Sequence, residues 1–201
     1  YVRISDAAFI TCVLVLNPGV TITAPAILSA AVASTDITCF GANNGIINIT
    51  SPTGGYGTYE YSNNGGGTWQ LTGTFSSLAP GSYDIRIRDR AHITCVIVLD
   101  PALVITQPAI LSATVTSTNV NCNGANDGTI TITNPLGGYG TYAYTVNGGA
   151  SWQTTGSFTN LAPGTYNVRI RDAAHTTCEI VLNPALVITQ PAKLAAGPHR
   201  P

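Results

Sequence analysis

Five cysteines are the residues best placed to do chemistry in this 201-residue chain, and their spacing is informative. Cys12, Cys95 and Cys178 stand 83 positions apart, and Cys39 and Cys122 are again separated by 83. Thiols can hold a metal, attack as nucleophiles or pair as disulfides. The first two roles need His or acidic partners that recur at the same period. His92 and His175 do recur, three residues before a cysteine, but the matching position of the first copy is Phe9. No second His or thiolate keeps station beside them, so they read as polar loop tips rather than metal ligands. No Ser, His and acid triplet recurs either, which argues against repeated hydrolase sites. The chain therefore reads as a non-enzyme. One matched cysteine pair per period reads as disulfide bonding, and hence as an oxidising, extracellular or cell-surface setting.

Other residues carry groups that could bind a ligand. The turn Asn121–Gly128 carries closely spaced oxygens of the kind that hold Ca2+, but it lacks a bidentate Glu, and its counterpart at Phe40–Gly45 is uncharged. It reads as a plain turn, with Ca2+ the one cofactor worth testing. Gly54–Gly57 and Gly137–Gly140 are glycine-rich, but no helix follows to supply an anion site. Arg86 and Arg88, like Arg169 and Arg171, alternate with apolar residues and form a small basic stripe in each period. They read as a solvated sheet face, or as a contact for acidic surface polysaccharide. Trp69 and Trp152 follow a turn and suit hairpin packing or sugar stacking. A lysine-based isopeptide bond is impossible inside either full unit, because the only lysine is Lys193.

The elements that position these residues follow the same period. Ile27-Leu-Ser-Ala30 recurs as Ile110-Leu-Ser-Ala113, which marks two full units at 27–109 and 110–192. Residues 1–26 are the end of an earlier unit, and 193–201 begin another or form a tail. The chain, which contains no Met, reads as an excerpt of something longer. Charged residues make up only 8% and net charge is −1, so the clustered cations that nucleic acid requires are missing. No apolar run approaches the ~20 residues of a membrane span.

Within a unit every segment has the period-two alternation of strands. Leu111–Val120 and Thr129–Thr133 come first. After the break at Asn134–Gly140, Thr141–Val146 leads to an Asn147-Gly148 turn. Ser151–Asn160 then reads as one bent strand or two short ones. Leu161-Ala-Pro-Gly-Thr-Tyr166 feeds a strand in which Tyr166, Val168 and Ile170 alternate with polar residues, and Leu78-Ala-Pro-Gly-Ser-Tyr83 repeats it. Pro80-Gly81 and Pro163-Gly164 suggest tight turns, with glycine at positive φ. With Tyr83 and Tyr166 they resemble the tyrosine corner of immunoglobulin-like sandwiches. The expectation is all-β, with tandem sandwiches of 83 residues. Four strands lie between Cys122 and Cys178 when Ser151–Asn160 is counted as one bent strand. An even number returns the chain to the same end, which favours Cys122–Cys178 and Cys39–Cys95, leaving Cys12 for an upstream partner. The rival pairing, Cys12–Cys39 and Cys95–Cys122, would staple neighbouring units.

The order C-x-G-x-x-D-G, G-G-x-G-x-Y, N-G-G-x-x-W, F-x-x-L-x-P-G-x-Y, R-D-x-x-x-x-x-C and I-T-Q-P-A resembles the SprB-type repeats of gliding-motility adhesins and other large secreted surface proteins of Bacteroidetes. The resemblance implies an Ig-like fold and an adhesive or filamentous role, with further copies of the repeat as partners. It assigns no catalytic residue. A glycan-binding module and a non-catalytic spacer of a secreted enzyme are the alternatives.

Overall fold

The computed structural model describes residues 2–17 and 19–195; the tail Gly197–Pro201 lies outside them. A hairpin of β1 (Val2–Ser5) and β2 (Val13–Asn17) precedes two six-stranded sandwiches. The first comprises β3 (Ser29–Thr35), β4 (Gly45–Thr53), β5 (Tyr59–Ser62), β6 (Thr74–Leu78), β7 (Gly81–Asp89) and β8 (Val96–Ile105). The second repeats it as β9 (Ser112–Thr118), β10 (Gly128–Leu136), β11 (Tyr142–Thr145), β12 (Ser157–Leu161), β13 (Gly164–Asp172) and β14 (Glu179–Ile188). Each has two three-stranded antiparallel sheets, β3-β4-β6 facing β5-β7-β8 and β9-β10-β12 facing β11-β13-β14.

Alternation sets the cores. In β10, Ile130 and Ile132 point inward while Thr129 and Thr131 lie at the half-wet face; in β13, Val168 and Ile170 point inward between Arg169 and Arg171. Tyr144, Leu186 and Ile188 close the second core, and Ile47, Ile49, Ile85, Ile87 and Ile105 build the first. Each isoleucine sealed this way contributes roughly 2–3 kcal/mol. Pro184 sits in β14, an edge strand, where its missing N–H costs no ladder bond.

Two local expectations are corrected. Gly164 does not adopt a left-handed conformation; that role falls to Asn160, with φ 58°, and to Ser77, with φ 57°. The reason is that β12 and β13 belong to different sheets, so Ala162-Pro163 arches across the sandwich instead of reversing tightly. The tyrosine corner itself is made: Tyr83 OH donates to the Ala79 carbonyl at 2.8 Å and Tyr166 OH to Ala162 at 2.7 Å. The second correction concerns Ser151–Asn160, of which only Ser157 onward forms a strand, while Gln153 makes an isolated bridge to Tyr144.

That crossing decides where the cysteines go. β10 and β13 both run from the Cys122 end to the Cys178 end, since Leu161 pairs with Gly128 at one end and Tyr142 with Asp172 at the other. β11 and β12 both run back, one in each sheet, so together they make a single return. Four strands therefore make three traverses, and Cys122 and Cys178 finish at opposite ends.

Candidate functional site: the joint between the sandwiches

The expected pairings Cys39–Cys95 and Cys122–Cys178 are not formed, and neither is the rival Cys12–Cys39 with Cys95–Cys122. Cys39 is bonded to Cys178, with Cα atoms 5.2 Å apart and 139 positions between them. The three-traverse path is the cause, because the first cysteine of a unit meets the second cysteine of the next unit. Cys12, Cys95 and Cys122 are free and exposed, whereas Cys178 is only 7% exposed.

Both sides of the joint are built by local hydrogen bonding. On the Cys39 side, Ile37 N–H donates to Thr106 O at 2.9 Å, Thr106 N–H to Asp36 Oδ1 at 2.7 Å, and Gly41 N–H to Gln107 Oε1 at 2.9 Å. The exit from β8 is thus clasped to the cysteine corner, which gives the I-T-Q-P-A motif a physical purpose. Thr38 N–H donates to Asn44 Oδ1, and in the next unit Asn121 N–H donates to Asp127 Oδ1 at 3.0 Å. The Asn121 backbone N–H and then its side-chain amide hold the Asp127 carboxyl below its usual range. The Asn- and Asp-rich turn spends its oxygens closing itself. Among the described residues no three of His, Cys, Asp and Glu stand together as a metal cage.

On the Cys178 side the organiser is Asp172, fully buried. Its carboxylate accepts the N–H groups of Tyr139 at 2.6 Å, Ala174 at 2.8 Å and His175 at 3.0 Å. Burial pulls this carboxyl upward, but the three donors outweigh it and leave it below the ordinary value. Asp89 is set low in the same way, chiefly by the Tyr56 N–H. His175 stacks on Tyr139 at 4.0 Å between ring centroids, and His92 on Tyr56 at 3.9 Å. The histidines act as flat spacers behind the tyrosine.

Across the joint, Tyr139 OH donates to the Ile37 carbonyl at 3.3 Å, and Cys178 Sγ lies 3.1 Å from the Thr38 carbonyl oxygen. A cavity of about 90 Å3 remains between Phe40 below and Pro108, Ile110 and Gly138 above. Gly137, with φ 81°, sits where a Cβ would strike the Ile110 carbonyl, so only glycine lets this loop close on the incoming linker. Sequence reasoning overlooked Tyr139, although Tyr56 stands at the same place one period earlier.

The arginine and tryptophan residues are brought together on one sheet face. Arg88 lies 4.3 Å over the Trp69 ring and Arg171 4.3 Å over Trp152, while each indole N–H donates to a glycine carbonyl at 3.0 Å. Arg86 pairs with Asp84 and Arg88 with Glu60, each at 2.6 Å, and Arg169 with Glu179 at 2.8 Å. Arg171 has Ala143 opposite it where Arg88 has Glu60, and its Nε is buried without an acceptor.

Residues 31–68 and 114–151 each match the SprB repeat family. The curated proteins contain no match to this chain.

Proposed function

The chain carries two SprB-type repeats, and from that premise we propose that it is a structural, adhesive segment of a secreted cell-surface or filamentous protein. Units 27–109 and 110–192 serve as rigid links of a rod. The observation that carries this reading is the Cys39–Cys178 bond, which fastens one sandwich to the next and leaves no open linker between them. The clasp of Thr106 and Gln107 onto the cysteine corner supports it, because a pinned exit strand restricts bending. An oxidising, extracellular location is supported by the same bond. Small-angle scattering tests the rod: the radius of gyration should clearly exceed the roughly 17 Å of a compact chain this long. A compact profile refutes it.

One observation favours a second reading, contact with acidic surface polysaccharide. Among the described residues Arg171, lying flat on Trp152, has no carboxylate partner, so a cation and an aromatic face are offered together. Binding of a uronic-acid polymer that is lost in Arg171→Gln, but kept in Arg88→Gln, would support it; no binding by the parent chain would end it.

A further inference from the structure

The two sulfur atoms of the joint lie in unlike surroundings. Cys39 is half-buried, and two hydroxyls stand by its sulfur, Thr38 Oγ1 at 3.9 Å and Thr177 Oγ1 at 3.8 Å. Thr38 Oγ1 already accepts the Asn44 side-chain amide at 2.8 Å, which leaves its own hydrogen to the sulfur. Cys178 is buried, and its sulfur faces the Thr38 carbonyl oxygen at 3.1 Å. Both cysteines line the joint cavity, whose other walls include Pro108, Ile110, Leu111 and Ile180. Exchange of a disulfide with a thiol makes two demands: an anion must reach the attacked sulfur, and the departing sulfur must take up negative charge. An apolar hollow of about 90 Å3 does not solvate a thiolate, so attack falls on the wetter Cys39. Charge arriving on Cys178 then meets a carbonyl oxygen, which repels it. A protonated Cys178 instead donates its S–H to that oxygen, a weak but correctly placed bond.

We propose that Cys39 is a thiol-exchange site for dithiol reductants and small disulfides, and that Cys178 is its resolving partner, gated by the joint. In reduction, one thiolate of the dithiol attacks Cys39 Sγ, the Cys39–Cys178 bond breaks, and Cys178 departs with the electron pair and takes a proton. The second thiol of the reductant loses its proton and closes on the first, releasing Cys39. One dithiol is thereby oxidised to a disulfide and one disulfide is reduced to two thiols, with two protons passing from reductant to protein. Oxidation by a small disulfide runs through the same mixed disulfide: the Cys39 thiolate displaces one thiol, and the Cys178 thiolate displaces the second. Both directions need Cys178 to carry charge for a moment, so both wait for the Thr38 carbonyl to withdraw. That carbonyl belongs to the first unit, and next to it the Ile37 carbonyl accepts the Tyr139 hydroxyl at 3.3 Å. Tyr139 is itself held by Asp172 and backed by His175. Opening of the joint thus sets the exchange rate. While the joint stays closed, reduced Cys178 rests within reach of Cys39, their Cα atoms 5.2 Å apart, ready to bond again.

In the full chain, Cys12, Cys95 and Cys122 are first capped with iodoacetamide while the joint bond is intact. The bond is then reduced with a phosphine under native conditions, and N-ethylmaleimide is pulsed. Peptide mapping should show Cys39 labelled at least about fivefold faster than Cys178, whose release breaks the bond to Thr38. Tyr139→Phe, which keeps an aromatic ring against His175, should speed labelling of Cys178 by about fivefold, the loss of one hydrogen bond, and leave Cys39 unchanged. In concentrated urea the two sulfurs should label alike. When glutathione is offered to the capped, oxidised chain and the products are trapped with N-ethylmaleimide, the glutathione should sit on Cys39 and the maleimide on Cys178. Equal labelling of the two sulfurs in the native chain, a preference that survives in urea, a glutathione adduct on Cys178, or an unchanged Cys178 rate in Tyr139→Phe would each overturn the proposal.

Discussion

Removing the staple tests the joint most directly. Cys39→Ser or Cys178→Ser opens a loop closed over 139 positions. On the chain-entropy account, a loop of that length restricts the unfolded chain by about 5 kcal/mol, a little more than a 100-residue loop. For a protein of this size each kcal/mol moves the melting temperature by roughly 2–4 °C, so a fall of about 10–20 °C is expected. Thermal unfolding followed by circular dichroism measures it. The pattern matters more than the size. Cys39→Ser, Cys178→Ser and the double variant should fall together, because each removes the same bond, and a reductant should bring the parent to their level. Cys95→Ser and Cys122→Ser should melt with the parent, since those thiols are free. Bonds within each unit would instead make all four cysteines matter in two independent pairs. That result, or a loss under about 1 kcal/mol, would refute the assignment.

The low-set carboxyls fix the acid response. Asp36, Asp89, Asp127 and Asp172 all lie below their ordinary value in the folded chain. Their contribution is therefore complete above the unfolded value, ~3.9, and is lost as pH falls through the folded values. Stability should be level from pH 7 to 5 and drop below pH 4 in acid titrations; Asp172→Asn should be less stable at neutral pH and show a shallower drop. The tyrosine corner gives a smaller effect: Tyr166→Phe removes one hydroxyl bond to Ala162 and should cost about 1 kcal/mol in urea unfolding with the slope unchanged.

Much of the fold could be read from the chain itself. The alternation of Ile130 and Ile132 with threonines, and of Val168 and Ile170 with arginines, named the inward faces because a strand has only two. The cysteine partners were hidden for a different reason. Counting strands assumes that each reverses the last, and the Asn147-Gly-Gly turn ahead of Trp152 has the sequence of such a reversal. In the folded chain that turn is followed by a passage to the other sheet, so β11 and β12 share a direction. Nothing local in Ser151–Gly156 distinguishes the two paths, because the choice depends on which edge, β10 or β13, offers free backbone groups. The histidines show a mixed case. Exchange of His175 and His92 for Phe9 spoke against a metal role and left them as polar loop tips, whereas the structure stacks both rings on Tyr139 and Tyr56.

The long bond also changes what a single cut can do. Every residue from 40 to 177, covering β4 through β13, lies on a closed ring. A protease outside the cell finds its easiest entry at exposed turns such as Asn64–Thr68 and Asn147–Ser151, and both are on that ring. One cleavage there converts the ring to a line without parting the molecule, since tension still passes through the sulfur atoms from one sandwich to the other. Parting Cys39 from Cys178 takes a hit on the ring together with a reductant, because even two hits leave the sulfur bond joining the outer segments. If the proposed surface role holds, a polymer made of such rings wears by nicks that leave its length intact.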